Sequence, residues 1–122
     1  MPPGVEAFNV LGDPVRRRIL ELLASGERTA GDVAAAIQRE FGLTQPAVSR
    51  HLRVLRESGF ASVRPLGQRR LYVLDAAGLD DAQGWLANLT GQWSQRLDAL
   101  DTELARGRYR AGDTSKPEED AT

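Results

Sequence analysis

Five side chains in one short stretch, Gln45, Ser49, Arg50, Arg53 and Arg56, offer amide, hydroxyl and guanidinium groups, with Glu57 the only acid beside them. Such groups suit the edges of DNA bases. Arg can bond guanine O6 and N7, Gln can bond adenine, and Ser can bond bases or phosphate. The same side chains also make an ordinary solvated helix face, so their types alone leave both readings open. Catalysis has little to work with. The tempting pair is Ser49 and His51, yet two positions apart on a helix they point about 200° apart and cannot share a proton. No Gly-rich phosphate loop follows a strand, and no carboxylate pair has a plausible pocket.

A helix with marked ends carries these residues. Thr44 can cap it, because its hydroxyl accepts a free backbone N–H of the first turn. Pro46 falls inside that turn, where its missing N–H costs nothing. Gly59 closes the helix, since it takes the left-handed conformation without a Cβ clash. Val48, Leu52 and Leu55 recur at i, i+4, i+7 and make one apolar stripe. His51 lies beside that stripe and reads as a structural hydrogen-bonding residue.

Other elements flank this helix. Residues 1–4 read as a loose leader. Val5, Phe8, Val10 and Leu11 suggest a first helix ending at Gly12. Asp13-Pro14 opens a second, as cap and first helical residue. Ile19, Leu20, Leu22 and Leu23 give it a buried face, and Ser25-Gly26 ends it. Thr29 begins a third, with Asp32 completing a capping box. Val33, Ala34, Ile37 and Phe41 form its stripe, and Gly42 ends it. Two helices joined by a Gly-containing turn, the second polar and basic outside, make a helix-turn-helix pattern.

A hairpin follows, Ala61–Leu66 and Arg69–Leu74 about a Gly67-Gln68 turn. Pro65 restricts the first strand to an edge or a bulge. Arg69 and Arg70 near the tip make a natural phosphate or minor-groove probe, although charges on an edge strand also block aggregation. From Leu79 to Arg106 a long helix carries Leu86, Leu89, Trp93, Leu97, Leu100 and Leu104 at steps of three and four. That seam needs a facing surface, either a second copy of the chain or the chain's own domain. Trp85 and Trp93 would be anchors. Residues 107–122 are polar and read as a disordered tail, leaving 5–106 as the domain.

With 122 residues the chain has room for one domain with a modest core. No apolar run has membrane-spanning length, and the N-terminus lacks the regions of a signal peptide, so a cytoplasmic location is expected. The formal net charge of −1 argues against nucleic acid until its distribution is read. From Thr44 to Arg70, Arg50, Arg53, Arg56, Arg64, Arg69 and Arg70 face Glu57 alone, whereas acids dominate from Asp75 onward. Salt screens charges beyond about 10 Å, so the local balance decides phosphate contact.

Taken together, the segments Phe8–Leu23, Gln45–Phe60 and Gly67–Leu74 resemble the opening helices, recognition helix and wing of the ArsR (ArsR/SmtB) family of bacterial transcriptional repressors. The likeness spans roughly residues 5–105. It implies a mainly α, winged helix-turn-helix fold with a β-hairpin wing. It also implies a homodimer through the first and last helices, which puts Phe8 in the interface with Leu86, Leu89, Trp93, Leu97, Leu100 and Leu104. By position, Gln45, Ser49, Arg50 and Arg53 would meet bases or phosphates of double-stranded DNA, and Gln68, Arg69 and Arg70 would sit on the wing. Thr44 would add a phosphate contact beside its cap.

Two departures stand out. Gln38-Arg39-Glu40-Phe41 looks like an extra turn that would tilt or displace the recognition helix. The family's metal-sensing members carry Cys or Asp/His/Glu ligands, but this chain has no cysteine and one histidine. Asp80 and Asp81 point about 100° apart on a helix, so no metal or other cofactor is expected. The expected function is a dimeric repressor on a pseudo-palindromic operator, released by a small molecule, a protein partner or dilution. The alternative is a winged-helix module that binds protein and not DNA; it leaves the arginines of helix and wing without a partner.

Overall fold

Helix α1 (Pro3–Leu11) opens the structure, a computed structural model that describes residues 3–110. It is followed by α2 (Pro14–Ala24), β1 (Arg28–Thr29), α3 (Ala30–Phe41), α4 (Gln45–Glu57), β2 (Ala61–Leu66), β3 (Arg69–Leu74) and α5 (Ala76–Arg110). Local chemistry accounts for most of these ends. Asp13 Oδ1 accepts the N–H groups of Val15 and Arg16 at 2.8 and 3.3 Å, starting α2. Thr29 and Asp32 form the reciprocal capping box of α3. Gly42, at φ 71°, ends that helix in the left-handed region.

The end of α4 is a Schellman motif. Gly59 has φ 79°. Its N–H donates to Arg56 O at 3.3 Å, and the Phe60 N–H donates to Leu55 O at 2.9 Å. Leu55 and Phe60 are both fully buried, giving the apolar contact that accompanies this turn.

The core is built from one face of each helix. Val10 of α1, Ile19 and Leu23 of α2, Val33 and Ile37 of α3, and Val48, Leu52 and Leu55 of α4 are all buried. Each large aliphatic side chain taken from water stabilises the fold by about 1.5–3 kcal/mol. The α3 stripe stops at Ile37. Phe41, expected to continue it, is 41% exposed. The last turn of α3 is held by charge instead: Arg18 of α2 donates to both Glu40 oxygens, at 2.8 and 3.3 Å. The extra turn read at Gln38–Phe41 is therefore the end of α3, and Gly42-Leu43-Thr44 alone links it to α4.

The strands form an antiparallel sheet in the order β1-β3-β2. Pro65 stands on the edge strand β2, opposite Arg70, where a missing N–H is tolerated. The two-residue strand β1, which the sequence did not announce, covers the other side of β3 through Arg28↔Tyr72 and Thr29↔Leu71.

Helix α5 begins earlier and ends later than its apolar pattern suggested. Asp75 Oδ1 accepts the Ala77 N–H at 3.0 Å in its first turn, and the helix runs on to Arg110. Of the leader expected at residues 1–4, Pro3 and Gly4 belong to α1, and of the disordered tail expected at 107–122, residues 107–110 belong to α5; residues 1–2 and 111–122 lie outside the described residues. The chain through Trp85 forms one unit and the chain from Leu86 a second. Within the first, Phe8 packs against the core and meets Trp85 edge-on, with ring centroids 5.4 Å apart.

Candidate nucleic-acid interface

Burial of Val48, Leu52 and Leu55 fixes the rotation of α4, because residues three and four apart share a face. Gln45, Ser49, Arg50, Arg53 and Arg56 are consequently exposed. Thr44 Oγ1 accepts the Ala47 N–H at 3.3 Å, so its hydroxyl serves as the cap of the helix.

The wing tip is set by Gly67, whose φ of 62° lets Leu66 pair with Arg69 across a two-residue turn. Gln68, Arg69 and Arg70 are exposed there. They line an open cleft whose other wall is Thr29, Ala30, Gly31 and Asp32, the start of α3. No spacing along the chain points to this neighbour, because β1 brings it there by pairing with β3.

Two arginines near this surface are already matched by acids. Arg18 binds Glu40 and Glu21, and Arg64 binds Glu27. Hydrogen bonds from Arg18 hold the Glu40 carboxyl below its ordinary pKa. Arg50, Arg53, Arg56, Arg69 and Arg70 make no ion pair or side-chain hydrogen bond among the described residues. Arg64, counted above with the basic stretch, is therefore neutralised by an acid from outside it. Five cations remain unmatched on one helix and one hairpin.

His51 is directed inward. Its Nδ1 accepts from Arg16 Nε at 3.3 Å. Burial pushes its pKa down; Asp13 opposes this, while Arg16 and Arg50 reinforce it. Burial also raises the Asp13 carboxyl, but the Arg16 and Val15 backbone N–H groups, with His51 and the Arg16 charge, outweigh that and hold it below its ordinary value. Arg16 and His51 lie 35 residues apart, and no spacing rule could have joined them.

On α5, Leu86, Leu89, Trp93, Leu97, Leu100 and Leu104 are 43–61% exposed. Phe8 is half-buried on α1. No helix among the described residues is long and apolar enough to cross a membrane.

Comparison with known proteins agrees with this geometry. Residues 13–63 match the model of the bacterial regulatory protein, arsR family. The chain is 37% identical over 90 residues to the transcriptional repressor SdpR of Bacillus subtilis (strain 168), covering 74% of this chain and 96% of that one. A crystal structure of a possible transcriptional regulator for arsenical resistance is 37% identical with a TM-score of 0.58, over 80% of this chain and 95% of that one. The homodimeric winged helix-turn-helix DNA-binding domain of a possible ArsR-family regulator from Mycobacterium bovis is 28% identical with a TM-score of 0.54, over 74% of this chain and 79% of that one. Sequence and fold thus agree on one assignment: this chain belongs to the arsR family of bacterial regulatory proteins.

Proposed function

We propose that this protein is a cytoplasmic, DNA-binding transcriptional repressor that acts as a homodimer. The observation that carries the reading is the set of unmatched cations. On α4 and the wing tip, Arg50, Arg53, Arg56, Arg69 and Arg70 point to solvent without acid partners among the described residues, while Arg18 and Arg64 of the same unit are paired. Phosphates are the natural counter-charge for such a surface. Gln45, Ser49, Arg50 and Arg53 would read or touch the major groove, with Thr44 at the adjoining phosphate and Gln68, Arg69 and Arg70 on the flanking backbone. The relatives named as repressors and regulators support this reading, and nothing supports the protein-interaction module. The exposed α5 seam supports a second copy as its cover, with the Mycobacterium bovis domain as a homodimeric precedent. Two copies of one recognition helix call for a pseudo-palindromic operator.

The test is fluorescence anisotropy on duplex from upstream of the protein's own gene, against scrambled duplex, at two salt concentrations. Preferential binding to the upstream duplex that weakens steeply with salt is expected. No binding to either duplex at low salt would overturn the proposal.

A further inference from the structure

Arg16 lies in the first turn of α2, yet its side chain reaches two other helices. Nε donates to His51 Nδ1 on α4 at 3.3 Å. Nη1 points to the carbonyl oxygen of Val10, in the last turn of α1, at 3.5 Å. The Arg16 backbone N–H donates to Asp13 Oδ1 at 3.3 Å, which anchors the residue at the start of its own helix. One guanidinium, on a residue anchored at the start of α2, thus bridges the end of α1 and the middle of α4. His51 follows Arg50 directly and precedes Arg53 by two positions. It therefore sits on the helix that presents the outward cations, while being half-buried itself.

We propose that Arg16 is a positioning residue for DNA binding: through His51 it fixes the orientation of α4 against α1 and α2, and only while the imidazole is neutral. The proposal rests on the DNA-binding reading above. Its chemistry follows from the donor. An N–H aimed at Nδ1 requires a lone pair there, which places the imidazole proton on Nε2. Protonation at Nδ1 would set a donor against a donor and a second cation against the guanidinium. The groups that face His51 are Asp13 from the α1–α2 link, Arg16 from α2 and Arg50 from α4 itself. From α1 comes the Val10 carbonyl, acting through Arg16. The apolar stripe of α4 does not titrate, so the fold persists in acid while this bridge opens.

The chain suits a clean test because His51 is its one histidine. Burial places the His51 pKa below its ordinary 6.5, and free carboxylates titrate near about 4, so a change in binding between about pH 5 and 7.5 that His51→Asn removes reports on His51 and not on the α-amino group. The experiment is anisotropy of the full chain on a duplex recovered by iterative selection from a random pool, and on its scrambled form, at constant ionic strength. The expected result is a loss of about three- to tenfold in affinity for the selected duplex toward acid, the worth of one hydrogen bond. Binding to the scrambled duplex should not weaken. His51→Asn, whose Oδ1 replaces Nδ1 as a non-titrating acceptor, should keep selective affinity at both ends of the range. Arg16→Ala should bind the selected duplex weakly at every pH. A flat wild-type profile, or a His51→Asn profile that falls like the wild type, overturns the proposal, and the latter holds even if Arg16→Ala fails to fold. Affinities for both duplexes that rise together in acid would make His51 a phosphate contact and overturn it as well. Absence of binding to any duplex at pH 7.5 overturns the DNA-binding reading itself, and this inference with it.

Discussion

The ring of Phe60 lies flat over the backbone of Gly78, so closely that a β-carbon at Gly78 would stand 2.6 Å from Phe60 Cδ2. Two main-chain bonds hold the approach: Gly78 N–H to Gly59 O at 2.7 Å, and Asp75 N–H to Phe60 O at 2.9 Å. The residues that end α4 thereby receive the first turn of α5. Gly78→Ala should destabilise the protein by about 1–3 kcal/mol, the usual cost of overpacking a buried ring. Gly84→Ala is the control, since a β-carbon there meets nothing within 4 Å; it should stabilise the helix by up to about 1 kcal/mol. Urea unfolding of the two variants checks both signs. Equal stability of the Gly78 variant and the wild type would show that the ring yields.

Asp13→Ala removes the cap of α2 and should cost about 0.5–2 kcal/mol near neutral pH. The Asp13 carboxyl has a lower pKa folded than unfolded. Its contribution is therefore present above the ordinary value of 3.8 and is lost as pH falls through the folded value. The gap between wild type and variant should narrow in acid. A gap that widens instead would contradict the assignment.

Arg50→Ala and Arg53→Ala should weaken duplex binding without changing the melting temperature, because both side chains are exposed. Arg69→Ala and Arg70→Ala should each reduce the salt slope by about one. Arg64→Ala should change that slope less, since Arg64 is already paired with Glu27. An Arg64 effect equal to that of Arg69 would show that the ion pair opens on DNA.

Leu97→Glu with Leu100→Glu should give monomers in sedimentation, as a carboxylate on a covered seam is costly. A variant that remains dimeric would place the interface elsewhere.

The amino-acid sequence determined the parts of this protein that depend on near neighbours. Asp13, Thr29 with Asp32, Thr44 and Gly59 mark helix ends through bonds to backbone groups two to five residues away. The stripe Val48, Leu52, Leu55 fixes which face of α4 is outward, and Gly67-Gln68 fixes the hairpin register. The outward cations of the candidate interface were legible for the same reason. Only the tertiary structure decided which cations stay unmatched. Arg18 finds Glu40 across 22 residues, Arg16 finds His51 across 35, and Arg64 finds Glu27 across 37. The two-residue β1 has no periodicity to read, and exists because β3 offers it a partner. Such contacts depend on where packed elements bring distant side chains, and spacing along a chain carries no record of that.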